Sequence, residues 1–346
     1  MIKRIVDSQE KEEDRSVDLR PKHFSGFVGQ KTMVENTLVY MTAAKKRKEP
    51  LDHMLLSGPP GLGKKTFSII VAREMGSDVQ STTAPAIEKT GDMAAILSSL
   101  KEGEILFIDE IHRLKPIVEE MLYGAMEDNH LDINLGNSSQ SRTVRIDLPP
   151  FTLIGATTKL GALTQPLLSR FGIVHRLNFY THEDLEKIIK QNAKKLNIKI
   201  SDEGKKELAK RSRGTPRLLN RLLKRVRDFA EVKGKDIIDK EMVDYALDRM
   251  KIDQLGLDEK DQRLLKVIIK NFSGGPVGIE NLAASLNEDS GALEEVYEPY
   301  LIQIGFLKRT PRGRIAMPSA YRYLNIPYND DEQPLFDHPS ADFPPR

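Results

Sequence analysis

The sequence predicts an α/β nucleotide-binding domain followed by a small all-α domain and a winged-helix domain. Three observations lead there. A Gly-rich loop, "GPPGLGKKT" (Gly58–Thr66), joins a short apolar run to a helical pattern. A second apolar run ends in the acidic pair Asp109-Glu110. After residue 180 strand-length runs give way to helical periodicity, and the chain then reaches a basic hairpin, Phe306–Met317.

The first domain, residues 1–180, rests on "HMLLS" (His53–Ser57), "ILFID" (Ile105–Asp109) and "FTLIGA" (Phe151–Ala156). Continuous apolar runs of this length suit a parallel sheet buried on both faces, and the helical patterns between them make the class α/β. Thr181 and Asp184 form a capping-box pattern ahead of Leu185, Ile188, Ile189 and Leu196. Thr215-Pro216 opens a further helix, with Leu218, Leu219, Leu222, Leu223, Val226 and Phe229 on its apolar face. Residues 181–252 therefore read as a helical lid.

Residues 253–328 give three more helical patterns. The first carries Leu264, Leu265, Ile268 and Ile269, and the second Ile279, Leu282, Ala283 and Leu286. The third carries Leu293, Val296, Tyr300, Leu301 and Ile304. Two strand-like arms follow, around Thr310-Pro311-Arg312-Gly313, where Pro second and Gly fourth suit a type I turn. Three helices and a hairpin make a winged helix. The polar leader, 1–16, and the acidic, Pro-rich tail, 329–346, are expected to be disordered.

Composition narrows the setting. The 346 residues include no cysteine, which excludes disulfides and thiolate metal sites. With 53 basic and 51 acidic residues the net charge is +2, so nucleic-acid binding must come from local patches. No apolar run approaches the ~20 residues that span a bilayer, and the N-terminus lacks the apolar segment of a signal peptide. A cytoplasmic protein without membrane contact is expected.

The loop carries the first chemistry. Its glycines let backbone N–H groups turn inward to phosphates, and the following helix adds its positive dipole end. Gly58, Gly63 and Lys64 fit G-x-x-x-x-G-K-[ST], with Lys64 reaching the terminal phosphates of ATP. Asp109 and Glu110 end a buried strand, where ligands bind in open α/β sheets. Asp109 is the candidate ligand for Mg²⁺, and Glu110 the candidate base for the attacking water. Thr157 or Thr158, in "GATTK", is placed to hydrogen-bond the γ-phosphate or that water. Arg170, in "LLSRFG", reads either as a surface ion pair or as an arginine finger serving a neighbouring subunit. Arg217 opposes the dipole of the helix it begins, which points to an anion nearby.

These motifs, in this order, resemble an AAA+ ATPase. "LRPKHFSGFVGQ" (Leu19–Gln30), "MEDNHLDINLG" (Met126–Gly136), "LPPFTLIGATT" (Leu148–Thr158), "RGTPRLLNRLLKRVRDFA" (Arg213–Ala230) and "EPYLIQIGFLKRTPRGR" (Glu298–Arg314) go further. They closely resemble the RuvB family, bacterial motors of Holliday junction branch migration, over roughly residues 17–325. The resemblance implies a homohexameric ring that binds ATP between subunits and pulls duplex DNA through its centre. It also implies a RuvA-like junction-binding partner and coupling to a RuvC-like resolvase. Carried over residue by residue, Leu19 and Arg20 would lie against the nucleotide, while Gly61, Lys64 and Thr66 would contact phosphates. Arg170 would be the finger acting in trans, and Tyr180 and Arg217 would close over the nucleotide. Glu127, Asp128 and Asn129 would lie at the subunit boundary, and the hairpin at about 131–146 would dock RuvA. Lys308, Arg309, Arg312 and Arg314 crowd the wing. A basic hairpin of this kind contacts phosphates without reading sequence, and the resemblance makes Arg309 and Arg314, with Arg312 between them, the leading DNA contacts.

Within the glycine loop one residue departs from the pattern. Lys65 stands where the magnesium-binding hydroxyl belongs, and an ammonium has no acceptor to offer a metal. Either Asp109 holds the ion through water or Lys65 itself neutralises phosphate charge. A nucleotide-gated DNA-binding protein with little hydrolysis and a clamp-loader-like scaffold are the competing readings.

Overall fold

The computed structural model describes residues 3–4, 18–135 and 142–328. The chain divides into two compact units, Met1–Met250 and Lys251–Arg346. The expected disordered ends fall outside the described residues, except for Lys3–Arg4. That pair lies parallel beside Gln80 and Ser81, where a sheet edge offers open backbone groups.

The first unit is built on a six-stranded parallel sheet. Its strand order is Lys3–Arg4, Val79–Thr83, Ile105–Asp109, Thr152–Thr157, Met54–Ser57 and Ile173–Arg176. All four residues of Met54–Ser57 and all six of Thr152–Thr157 are buried, as their unbroken apolar runs require. Besides Lys3–Arg4, two strands of this sheet escaped the sequence reading. Val79–Thr83 is polar, but Gln80 and Thr82 are buried within it. Ile173–Arg176 alternates buried and exposed residues, so it offers no continuous apolar run. Ser57 lies opposite Thr157, so the ends of the two central strands are level. Gly58 then donates its N–H to the Thr157 carbonyl at 3.1 Å.

The lid comprises His182–Lys195, Asp202–Lys210, Pro216–Val232 and Lys240–Arg249. The Thr181 hydroxyl caps the first helix by accepting the Asp184 N–H. Thr215 precedes Pro216 as expected, but its hydroxyl donates to the Ser212 carbonyl instead of capping. Arg211 is fully buried, bonded to Glu207 at 2.7 Å and to Asp244.

The second unit packs Glu259–Asn271 and Ile279–Leu286 with a third helical stretch from Ser290 to Gln303. That stretch widens into a π turn at Leu293–Tyr297, just before Pro299, whose missing N–H removes a rung of the ladder. The hairpin pairs Leu307–Thr310 with Gly313–Ala316 across Pro311 and Arg312. This is the predicted wing.

Candidate nucleotide site and wing

The loop 58–63 is shaped by glycines that no other residue replaces. Gly58, Gly61 and Gly63 have φ of 141°, 84° and 103°, a region costly to L-residues. A Cβ on Gly58 would stand 2.6 Å from the Leu177 carbonyl oxygen, and one on Gly61 would stand 3.0 Å from Arg217 Cβ. Gly63 begins the helix Lys64–Met75. Lys64 is buried, and its Nζ donates to the carbonyls of Gly58 at 2.7 Å and Pro59 at 3.1 Å. The ammonium is thus held inside the loop it would offer to a phosphate. Lys65 and Thr66 are half-buried.

The acidic pair sits at the adjacent strand end. Asp109 ends its strand and accepts the Glu110 N–H at 3.1 Å. Glu110 has φ of 51°, a left-handed conformation that costs roughly 1–2 kcal/mol and turns the carboxylate out of the strand direction. Its Oε2 accepts the Thr158 hydroxyl at 3.1 Å and lies 3.3 Å from His112 Nδ1. Thr157 is fully buried, and its hydroxyl serves His112 at 2.9 Å and the Lys159 N–H at 3.0 Å. The geometry therefore separates the two threonines: Thr157 is internal, and Thr158 meets the candidate base.

Tyr180, just ahead of the lid, and residues of the lid itself close on the loop. Buried Tyr180 donates its hydroxyl to the Leu62 carbonyl at 3.1 Å, and burial holds its phenol well above the usual range. The Arg217 N–H reaches the Gly61 carbonyl at 3.3 Å while its side chain is exposed. Lys195 donates to the carbonyls of Leu19 at 2.9 Å and Arg20 at 3.3 Å, tying the leading segment to the lid. Leu19 is buried and Arg20 exposed. A cleft of about 290 Å³, lined by Gln30, Met33, Asn178, Tyr180, Thr181 and Asp184 among others, opens at this junction.

A second group of predicted residues assembles elsewhere. Arg170 donates to Glu127 at 3.0 Å and to the Pro166 carbonyl at 2.6 Å, and it lies 4.3 Å over the Tyr123 ring. Glu127 and Asp128 are exposed at the end of the helix Pro116–Asp128. Asn129 caps that helix with φ of 51°, a conformation Asn tolerates better than most residues. The hairpin that follows, His130–Leu135 with Arg142–Asp147, matches the expected one; its tip lies outside the described residues.

The wing corrects one expectation. Arg314 is not an outward cation. It is 8% exposed, and it donates to Glu298 at 2.6 Å and to Glu294 at 2.8 Å. Arg309, its direct cross-strand partner, also bonds Glu298. Strand alternation puts both guanidiniums on the face that covers the third helix, where the Glu298 side chain is 1% exposed. Arg309 remains exposed beyond that bond, as do Arg312 in the turn and Lys308.

Comparison with known proteins agrees with this architecture along the chain. Residues 19–177 match the Holliday junction DNA helicase RuvB P-loop domain, 180–253 the RuvB AAA lid domain, and 254–325 the RuvB C-terminal winged helix domain. The chain belongs to the RuvB family. Among its RuvB relatives is the Holliday junction branch migration complex subunit RuvB of Ligilactobacillus salivarius (strain UCC118). It is 53% identical over 330 residues, covering 95% of this chain and 98% of that protein. The subunit from Rickettsia africae (strain ESF-5) is 53% identical over 323 residues, covering 93% and 94%. The solved Thermotoga maritima RuvB Holliday junction branch migration motor superposes with a TM-score of 0.83 at 49% identity, covering 90% of this chain and 99% of that one. None of these RuvB matches supports the nucleotide-gated or clamp-loader readings.

RuvB membership makes ATP the nucleotide that the loop fits. Magnesium fits less well. The Asp109 carboxylate can hold a hydrated ion, but position 65 offers an ammonium where the loop pattern supplies a hydroxyl. Sequence reasoning missed His112 beside the base, Lys195 on the leading segment and Glu298 under the wing. His112 had a signal, lying two residues beyond Glu110. Lys195 had none, and Glu298 was hidden by its distance in sequence from the cations it pairs.

Proposed function

We propose that this chain is an ATP-hydrolysing motor that drives branch migration of Holliday junctions. The observation that carries this is the Thr158 bond to Glu110 beside the glycine loop, in a chain matched from residue 19 to 325 by RuvB domains. Lys64 and the loop N–H groups hold the phosphates. Glu110, oriented by Thr158, takes the proton of the attacking water. Tyr180 and Arg217 carry the state of the nucleotide to the lid through their bonds to the loop carbonyls. Arg170 serves the nucleotide of the next copy in a homohexamer, with Glu127, Asp128 and Asn129 at the same boundary. The wing, through Arg309, Arg312 and Lys308, contacts duplex phosphates. The hairpin at 131–146 docks a RuvA-like protein, and a RuvC-like resolvase acts on the same junctions, in the cytoplasm.

The test is a synthetic four-way junction with ATP, this chain and a RuvA protein. Strand exchange is expected with the unaltered chain and not with Glu110→Gln. Robust ATP turnover without any junction movement would overturn the motor reading.

A further inference from the structure

Position 65 is where the nucleotide site departs from the pattern it otherwise follows. A Ser or Thr hydroxyl there ligates the magnesium that accompanies the nucleotide. Lys65 is instead the second residue of the helix Lys64–Met75, directly after Lys64. The first turn carries these two cations and no acid. Two positive side chains at the positive end of a helix dipole are unfavourable unless an anion sits on them. Lys65 is half-buried, and its ammonium has no hydrogen-bond or ion-pair partner among the described residues. Lys64 differs, since its ammonium is bonded to two loop carbonyls. Asp109 does not neutralise Lys65 either: the two make no ion pair, and the Asp109 carboxylate accepts the Glu110 N–H.

An ammonium has three donors and no acceptor. It cannot ligate a cation, it repels one brought close, and it bonds phosphate oxygens directly. Thr66 lies about 100° further round the helix axis, so its hydroxyl does not recover the lost ligand position. We propose that Lys65 takes over the charge-neutralising role of the metal, so that this site binds nucleoside triphosphate without a divalent cation. The proposal rests on the reading of the loop as a nucleotide site.

The experiment is titration calorimetry of the full chain with a non-hydrolysable ATP analogue, in magnesium and in chelator. The unaltered chain, Lys65→Thr and Lys65→Met are compared, with circular dichroism as the check on folding. Chelation is expected to change the Kd of the unaltered chain by less than about 3-fold and to weaken Lys65→Thr by about 10-fold or more. Lys65→Met is expected to bind more weakly than the unaltered chain in chelator. Equal sensitivity to chelation in the unaltered chain and Lys65→Thr overturns the proposal. Should the variants not fold, magnesium titration of the unaltered chain decides: a flat Kd supports the proposal, and a Kd that tightens steeply with magnesium overturns it. Absence of binding by the folded, unaltered chain in both conditions would instead overturn the nucleotide-site reading itself.

Discussion

The guanidinium of Arg170 donates to the carboxylate of Glu127 at 3.0 Å, joining two residues that lie 43 positions apart in the chain. Both were singled out for a subunit boundary, and the fold brings them to one place. Glu127 is more than half exposed, so the pair contributes less than about 1 kcal/mol to folding. Arg170 itself is only 18% exposed and also holds the Pro166 carbonyl and the Tyr123 ring, so Arg170→Ala is expected to cost about 1–2 kcal/mol of stability while lowering kcat by about 10³-fold, the scale of an arginine finger. Mixing Arg170→Ala subunits with Lys64→Ala subunits checks the trans assignment. Partial recovery of turnover supports it, and none at any ratio counts against it.

The Thr158–Glu110 bond makes Thr158 a positioning residue for the base. Glu110→Gln is expected to lower ATP hydrolysis by roughly 10²–10⁴-fold with nucleotide affinity retained. Thr158→Ala should lower kcat with little change in KM, and Thr158→Ser, which keeps the donor, should restore most of it. Steady-state kinetics of the three variants tests the assignment, and wild-type kcat in Thr158→Ala would remove it.

Two histidines make stability depend on pH. His53 Nδ1 accepts the Leu153 N–H at 2.9 Å, so its Nε2–H donates to the Met126 carbonyl at 3.1 Å. This neutral ring ties the central sheet to the helix that ends beside Glu127. Burial is the main cause that lowers its pKa, and burial likewise lowers that of His175, which bonds Thr37. Below about pH 6.5 the unfolded chain gains protons that the folded chain resists. Stability should therefore be full above that pH, fall as pH drops through it, and level off below the depressed folded values. Urea midpoints measured from pH 8 to pH 5 test this, and a double His53→Gln, His175→Asn variant should show a flatter profile.

The wing separates structural from exposed cations. Arg314→Ala would leave Glu298 buried beside Arg309 alone and cost about 3–5 kcal/mol, the scale for breaking a buried pair. It should show as a lower unfolding midpoint of the second unit. Arg312→Ala should leave that midpoint unchanged and reduce the salt dependence of duplex binding by a slope of about 1. An unchanged slope would remove Arg312 from the DNA-contacting set.

Much of this was legible in the sequence because it rests on local chemistry. The loop reads from its glycines and Lys64, since only glycine adopts the φ values at positions 58, 61 and 63 without strain. The strand ending in Asp109-Glu110 reads from an apolar run closed by two acids. The lid helices His182–Lys195 and Pro216–Val232 and the three helices of the wing domain read from apolar spacing, with the Thr181 cap as a further sign. The strands Val79–Thr83 and Ile173–Arg176 did not, because one is polar and the other alternates. Arg314 was misread for a related reason. Its sequence neighbours are cations, but the acids it meets lie 16 and 20 residues earlier.

The sequence by itself therefore determined the family, the order of the domains and the anomaly at Lys65, all of which depend on residues close together along the chain. Only the tertiary structure decided which threonine meets Glu110, which cation of the wing is buried, and that Arg170 pairs with Glu127. Those outcomes depend on strand register and on side chains distant in sequence, where a shift of one residue exchanges the two faces of a strand.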